Sequence, residues 1–276
     1  MAARRPRRER HLRPVASLWI GERLRWIDRL ALTALRHQGH EVTLYHAGPA
    51  PAGVPDGIAL ESADRIIPVD ALLGRFSPAL VSDVFRFALM RDTETIWVDT
   101  DAVALVPLEP DADGYLVGAE EDGVWLNCAV LRLPADSPGL AILNRACATP
   151  DEVPAWMPAD RRSAMRKVAP EDTLREACRV MPNLLGPRGL TYALDQTGED
   201  AQALPSVALN PLPWWHAAVA FNPHGGTDGW VTPQTQVVHL YASRIPPPLL
   251  RRPAPAGSLL ARLAERFGLS GAPTRS

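Results

Sequence analysis

"IWVDTDAVALVPL", Ile96 to Leu108, sets two aspartates one residue apart at the end of an apolar run. In an extended strand, residues i and i+2 share a face, so Asp99 and Asp101 are expected to point their carboxylates at one spot. Two unpaired carboxylates that close repel each other and raise one pKa, a cost that a divalent cation removes. A hard oxygen site suits Mg²⁺ or Mn²⁺, and either ion can also grip a diphosphate. The plainer alternative is two solvated aspartates at a strand end, and Asp-x-Asp alone does not decide between the two.

Working outward, "SPALVSDVFRFALMRD" precedes the motif and reads as a helix that Ser77 caps and whose first turn takes Pro78. Within it Asp83 and Arg86 are three apart and share a face. A carboxylate there can accept sugar or ribose hydroxyls and a guanidinium can grip phosphate; a surface ion pair is the simpler alternative. Nearer the start, "PVASLWIG" (Pro14 to Gly21) reads as a strand. It leads into "ERLRWIDRLALTALRHQGH", where Leu24, Ile27, Leu30, Leu32 and Leu35 recur at helical spacing. "EVTLYH" (Glu41 to His46) then alternates like a strand, which makes the opening a βαβ unit with Gly39 ending its helix. That unit implies a mainly parallel α/β sheet, and ligand sites in such sheets gather at the carboxyl ends of the strands, where the aspartates lie.

Downstream, "GYLVGAE", "VWLNCAVLRL" and "QVVHLY" read as strands, and "SPGLAILNRACA" and "PEDTLREACRVM" as helices. "PLPWWHAAVAFNPHGG" is turn-rich, and its Trp214 and Trp215 could form an acceptor platform or plug the core. "SLLARLAERFGL" closes with a short amphipathic helix. The division expected is a disordered basic tail over 1–13, a catalytic domain over 14–250 and a C-terminal tail with that helix over 251–276.

The totals narrow the function. A chain of 276 residues, 46% of them apolar, can bury a substantial single core. Its net charge of -2 removes a global case for binding nucleic acid. The six arginines from Arg4 to Arg13 lack the apolar run of a secretory signal and read as a solvated tail, or as a weak contact to anionic lipid. Cys128, Cys147 and Cys178 are too widely spaced for a Cys-x-x-Cys motif and are read as reduced thiols of a cytoplasmic protein, at most peripheral to the inner membrane face. No apolar segment approaches the ~20 residues of a membrane-spanning helix. Lys167 is the only lysine, which limits lysine-dependent chemistry.

Taken in order, "LWIG" (Leu18 to Gly21), "HEVTLYH" (His40 to His46), "SDVFR" (Ser82 to Arg86), "WVDTDAVALVPL" and "VVHLYASR" (Val237 to Arg244) resemble the Asp-x-Asp glycosyltransferases. That family includes initiating yeast mannosyltransferases, α1,4-galactosyltransferases and, more distantly, glucosylating clostridial toxins. The resemblance implies a GT-A-like, Rossmann-type fold with a mixed, mainly parallel sheet flanked by helices. It also implies a UDP- or GDP-sugar donor, Mn²⁺ or Mg²⁺, and transfer with retention to a glycan, lipid-linked or small natural-product acceptor. Position by position it assigns Trp19 to the nucleobase, Ser82, Asp83 and Arg86 to the donor sugar and phosphates, and Asp99 and Asp101 to ribose and metal. His239 is the remaining metal ligand or a diphosphate contact, and Thr100 and Asn127 complete the donor set. The metal, with Asp101 as its more direct ligand, and Arg86 offset the charge of the leaving diphosphate, which makes Asp101 and Arg86 the expected catalytic residues. Trp19 and His239 could instead be core residues, and Asn127 a strand-edge amide. One departure stands out: the family's Gly-Gly-x-Tyr run before the metal motif is replaced here by "DTETIWV".

Two other functions fit parts of this pattern. "VDTDAV" also resembles the haloacid dehalogenase motif, in which Asp99 would be a phosphoryl acceptor and Lys167 the required lysine. A non-catalytic nucleotide-sugar-binding protein would keep the fold without turnover.

Overall fold

Alternation along the central strands sorts their side chains onto two faces, and both faces are covered. The computed structural model describes residues 12–269, so residues 1–11 of the basic tail, and any lipid contact they make, lie outside the described part. The described residues form eight strands: β1 Val15–Trp19, β2 Val42–His46, β3 Ala59–Ser62, β4 Ile96–Val98, β5 Ala102–Ala104, β6 Leu116–Ala119, β7 Leu126–Arg132 and β8 Val237–His239. Six of them form one sheet in the order β3-β2-β1-β4-β7-β6. β1 pairs in parallel with β2 and β4, β2 in parallel with β3, and β7 runs antiparallel to both β4 and β6. β5 and β8 form a separate antiparallel pair in which Ala102 faces His239. This is the mixed, mainly parallel, helix-flanked sheet of a GT-A-like α/β fold.

Ala16, Leu18, Trp97 and Leu131 face one way, into a cluster with Phe85 and Leu89 of the helix Pro78–Asp92 and Leu190 of the helix Pro187–Thr197. Val15, Leu44, Ile96, Val98 and Val130 face the other way, against Leu32 and Leu35 of the helix Trp26–His37. Burial on both faces explains why these strands read as continuous apolar runs. The opening βαβ unit forms as expected: Gly39 adopts φ +94, a left-handed conformation open to glycine, just after the helix ends. Ser77 and Ser137 cap the helices Pro78–Asp92 and Pro138–Ala148 through their hydroxyls, each followed by proline in the first turn.

A third cluster joins Ile27 and Leu30 to Val238 of β8 and to Leu260 and Leu263 of the helix Leu259–Arg266, so that last helix is packed against the body of the protein. At the other end, Arg13 pairs with Glu94, and its carbonyl accepts from His40 Nδ1 at 2.9 Å. His40 Nε2 in turn accepts from the Leu108 backbone at 2.9 Å, anchoring the far end of the Asp-x-Asp run. The three cysteines are unpaired. Among the described residues, no helix is long and apolar enough to cross a membrane.

Candidate metal centre and cleft

The two aspartates converge, but not by the pleat of one strand. β4 stops at Val98, residues 99–101 form a turn closed by Ala102 N donating to Asp99 O at 3.0 Å, and the chain re-enters a strand as β5 in the other sheet. The motif is therefore the hinge between two sheets. Its carboxylates meet because the chain turns, and β8 then brings His239 alongside through its pairing with Ala102. Ligand atoms of Asp99, Asp101 and His239 all lie within 4.8 Å of one another. With metal–ligand distances of about 2.1 Å, trans ligands stand about 4.2 Å apart, so small rotations suffice to hold one cation.

Electrostatics favours that cation. Burial pushes the Asp99 carboxyl above the usual aspartate range; Arg86 opposes this and the charge of Asp101 adds to it. Asp99 Oδ1 accepts from Trp97 Nε1 at 2.7 Å and lies 3.4 Å from Arg86 Nη2. Asp101 Oδ2 accepts from Ala242 N at 2.7 Å, while its Oδ1 lies 3.7 Å from His239 Nε2. His239 Nδ1 is buried with no hydrogen-bond partner. Two carboxylates, one of them with a raised pKa, and an imidazole whose Nε2 faces them make a donor set suited to Mn²⁺ or Mg²⁺.

Thr100, expected above in the donor set, lines the cleft and donates its hydroxyl to Asp28 Oδ1 at 3.0 Å. Asp28 is fully buried in the first helix and is held by Arg25 through Nε (2.8 Å) and Nη2 (2.7 Å). This network pins the tip of the turn at 99–101 to a helix.

Arg86 joins the other expected donor residues. It is buried, its charge lies 3.5 Å from Asp83, its Nη1 donates to Cys128 O at 2.9 Å, and its Nη2 donates to Ser82 Oγ at 3.2 Å. Most of its donors are thus committed to protein partners, and its guanidinium also lies 4.9 Å over the Trp97 ring. Burial raises Asp83 to about 6, against the lowering effect of Arg86. Gly186 leaves room for that carboxylate, since a Cβ there would stand 3.2 Å from both its oxygens.

Of the expected site residues, all except Trp19 (Ser82, Asp83, Arg86, Asp99, Thr100, Asp101, Asn127 and His239) line one cleft of about 910 Å³. Trp19 is half-buried beside it, with Arg25 5.5 Å over its ring. Asn127 holds the wall together: its Oδ1 accepts from Ala129 N at 2.6 Å and its Nδ2 donates to Glu120 at 2.5 Å. Of the tryptophan pair, Trp214 lines the cleft and Trp215 is 59% exposed.

Sequence reasoning gave no role to several lining residues, among them Glu120, Tyr241, Arg188 and Arg244. Glu120, Tyr241 and Arg244 lay inside quoted stretches but carried no signal; Glu120 and Tyr241 meet across 121 positions of sequence. Arg188 and Arg244 lie 4.6 and 4.8 Å over the rings of Trp125 and Trp214. Neither has a carboxylate partner among the described residues. Arg188 donates through Nε to Asn183 Oδ1 at 3.2 Å. Both are cleft cations whose charge no described carboxylate balances, and only a view of which charges are already paired identifies them.

No protein-family profile matches the chain, and no curated protein matches it in sequence. Among solved structures the chain is similar to the PaToxG glycosyltransferase at 11% identity and a TM-score of 0.41, over 67% of this chain and 68% of that one. A likeness of that size carries no weight for activity, so the functional reading rests on the residues themselves.

Proposed function

We propose that the chain is a metal-dependent glycosyltransferase that takes a sugar from a UDP- or GDP-sugar and passes it, with retention, to a glycan, lipid-linked or small-molecule acceptor. The observation that carries the reading is the meeting of Asp99, Asp101 and His239 at the carboxyl edge of the parallel strands, on the floor of a cleft large enough for a nucleotide sugar. Asp99, Asp101 and His239 hold Mn²⁺ or Mg²⁺. A divalent cation bound there supplies positive charge beside the leaving diphosphate.

The chain's own groups do the remaining work. Arg86, set between Asp83 and Asp99, keeps the Asp99 carboxylate charged and oriented. Asp83 and Ser82 face the donor sugar. Arg188 and Arg244, fixed on their indoles, offset the charge that develops on the leaving group, which is where preorganised cations contribute most to rate. No side chain is assigned as nucleophile.

The phosphatase alternative lacks its lysine: Lys167 is exposed after the helix Ala159–Met165 and is not among the residues lining the cleft. Incubation with a panel of nucleotide sugars and Mn²⁺ separates the readings. Slow release of UDP or GDP supports the transferase. Phosphate release from phosphoesters would support the hydrolase, and binding without turnover a non-catalytic protein.

A further inference from the structure

The proposed metal ligands come from two different sheets. Asp99 follows β4 in the six-stranded sheet, whereas Asp101 precedes β5 and His239 ends β8 in the two-stranded one. Their separation therefore depends on how the two sheets are held together. Besides the turn itself, a chain of short contacts runs around the cleft wall and ends on His239.

Asp99 N donates to Ala129 O at 2.7 Å, and Ala129 N donates to Asn127 Oδ1 at 2.6 Å. Asn127 Nδ2 donates to Glu120 Oε1 at 2.5 Å, and the Tyr241 hydroxyl donates to Glu120 Oε2 at 2.6 Å. The Tyr241 ring then lies against the His239 imidazole, with centroids 3.8 Å apart and planes tilted by 34°. The circuit starts at one proposed ligand and finishes at another.

Two further observations set Tyr241 apart. It is the sole non-glycine with positive φ among the described residues, at φ 48, a conformation that costs energy and persists only where its surroundings enforce it. In addition, a metal-binding histidine normally donates its second ring nitrogen to an acceptor that fixes its orientation. His239 Nδ1 has no such partner. What lies against that imidazole instead is the Tyr241 ring, whose own position is fixed by the hydrogen bond to Glu120.

We infer that Glu120 and Tyr241 are positioning residues for metal binding: their hydrogen bond clasps the two sheets together and holds the His239 imidazole toward Asp99 and Asp101. The inference rests on the metal reading above. Neither residue needs to touch the ion, and Glu120 acts through hydrogen-bond geometry rather than through its charge.

The test is Mn²⁺ alone, titrated into the full chain with the free ion followed by electron paramagnetic resonance, and thermal unfolding of each variant recorded alongside. Tyr241→Phe keeps the ring but loses the clasp, and Glu120→Ala loses it from the other side; each is expected to weaken Mn²⁺ binding about 10- to 100-fold. Glu120→Gln can retain both bonds, its oxygen accepting from Asn127 and its amide donating to the Tyr241 oxygen, and is expected to bind within about threefold of the parent. This conservative rescue is what a role through geometry requires. Parent-like binding by Tyr241→Phe would overturn the inference, as would a loss in Glu120→Gln equal to that in Glu120→Ala, which would make the carboxylate charge the active feature. If Tyr241→Phe fails to fold, the two Glu120 variants decide the question on their own. Failure of the unaltered chain to bind Mn²⁺ is a separate outcome: it removes the metal reading, and the clasp's role with it.

Discussion

Glu199 is buried and the Asp99, Asp101 and His239 group partly so, yet the two are treated in opposite ways. Glu199 accepts from the Tyr115 hydroxyl at 2.5 Å and, through its other oxygen, from Gly139 N and the Thr197 hydroxyl at 2.6 Å each. Burial pushes its carboxyl up, but the hydrogen bonds from Ser137, Thr197, Tyr115 and Gly139 prevail and hold it below the ordinary glutamate value. Asp99 lies next to a second carboxylate, and its pKa is raised. One cluster is complete and stabilises the fold. The other leaves two carboxylates side by side, and on the proposed reading a cation from outside completes it.

Substitutions should separate the two clusters. The largest effect is expected for Asp101→Ala, which should lower Mn²⁺-dependent donor turnover by on the order of a hundredfold or more. Without metal, its unfolding temperature should stay within a few degrees of the parent, because loss of the hydrogen bond to Ala242 is offset by relief of repulsion with Asp99. Near-normal turnover of this variant in Mn²⁺ would erase the contrast.

Glu199→Ala should do the reverse. It leaves buried donors at Gly139 and Tyr115 unpaired and should cost about 2–4 kcal/mol in urea unfolding, with Mn²⁺ affinity per folded molecule unchanged. The sign of its pH dependence follows from its lowered pKa. The folded protein releases this proton more readily than the unfolded chain, so the stabilisation is fully present above the ordinary value of 4.5 and is lost as pH falls through the lower folded value. Stability curves of parent and Glu199→Gln measured down through that range should converge at acid pH. Parallel curves would remove Glu199 as the acid-sensitive element.

Thr100→Val should have the smallest effect and tests the boundary, since Thr100 sits in the turn at 99–101 but bonds to the buried Asp28. About 1 kcal/mol of stability and about tenfold in Mn²⁺ affinity are expected to be lost together. Loss of one without the other would show that the turn is not anchored through Asp28.

Much of this was legible in the chain. The βαβ opening, the serine-proline caps and the strand carrying His239 follow from local periodicity and capping chemistry, which act over a few residues. The turn at 99–101 was not, because an apolar run reads the same whether it continues in one sheet or crosses to another. The bond of Thr100 to Asp28 follows from that crossing. The helix Pro187–Thr197 was missed because its segment offers no side-chain cap, only Gly186. The clasp of Glu120 on Tyr241 and the placing of Arg188 and Arg244 over Trp125 and Trp214 depend on partners far apart in sequence, which no local pattern encodes.

The central claim, that Asp99 and Asp101 hold a cation against the diphosphate of an activated sugar, is tested most directly by calorimetric titration of UDP- and GDP-sugars with and without Mn²⁺. The account predicts uptake of at least one donor that depends on Mn²⁺ and disappears in Asp101→Ala. Absence of Mn²⁺-assisted uptake for every donor, or equal uptake by the Asp101→Ala variant, would contradict it.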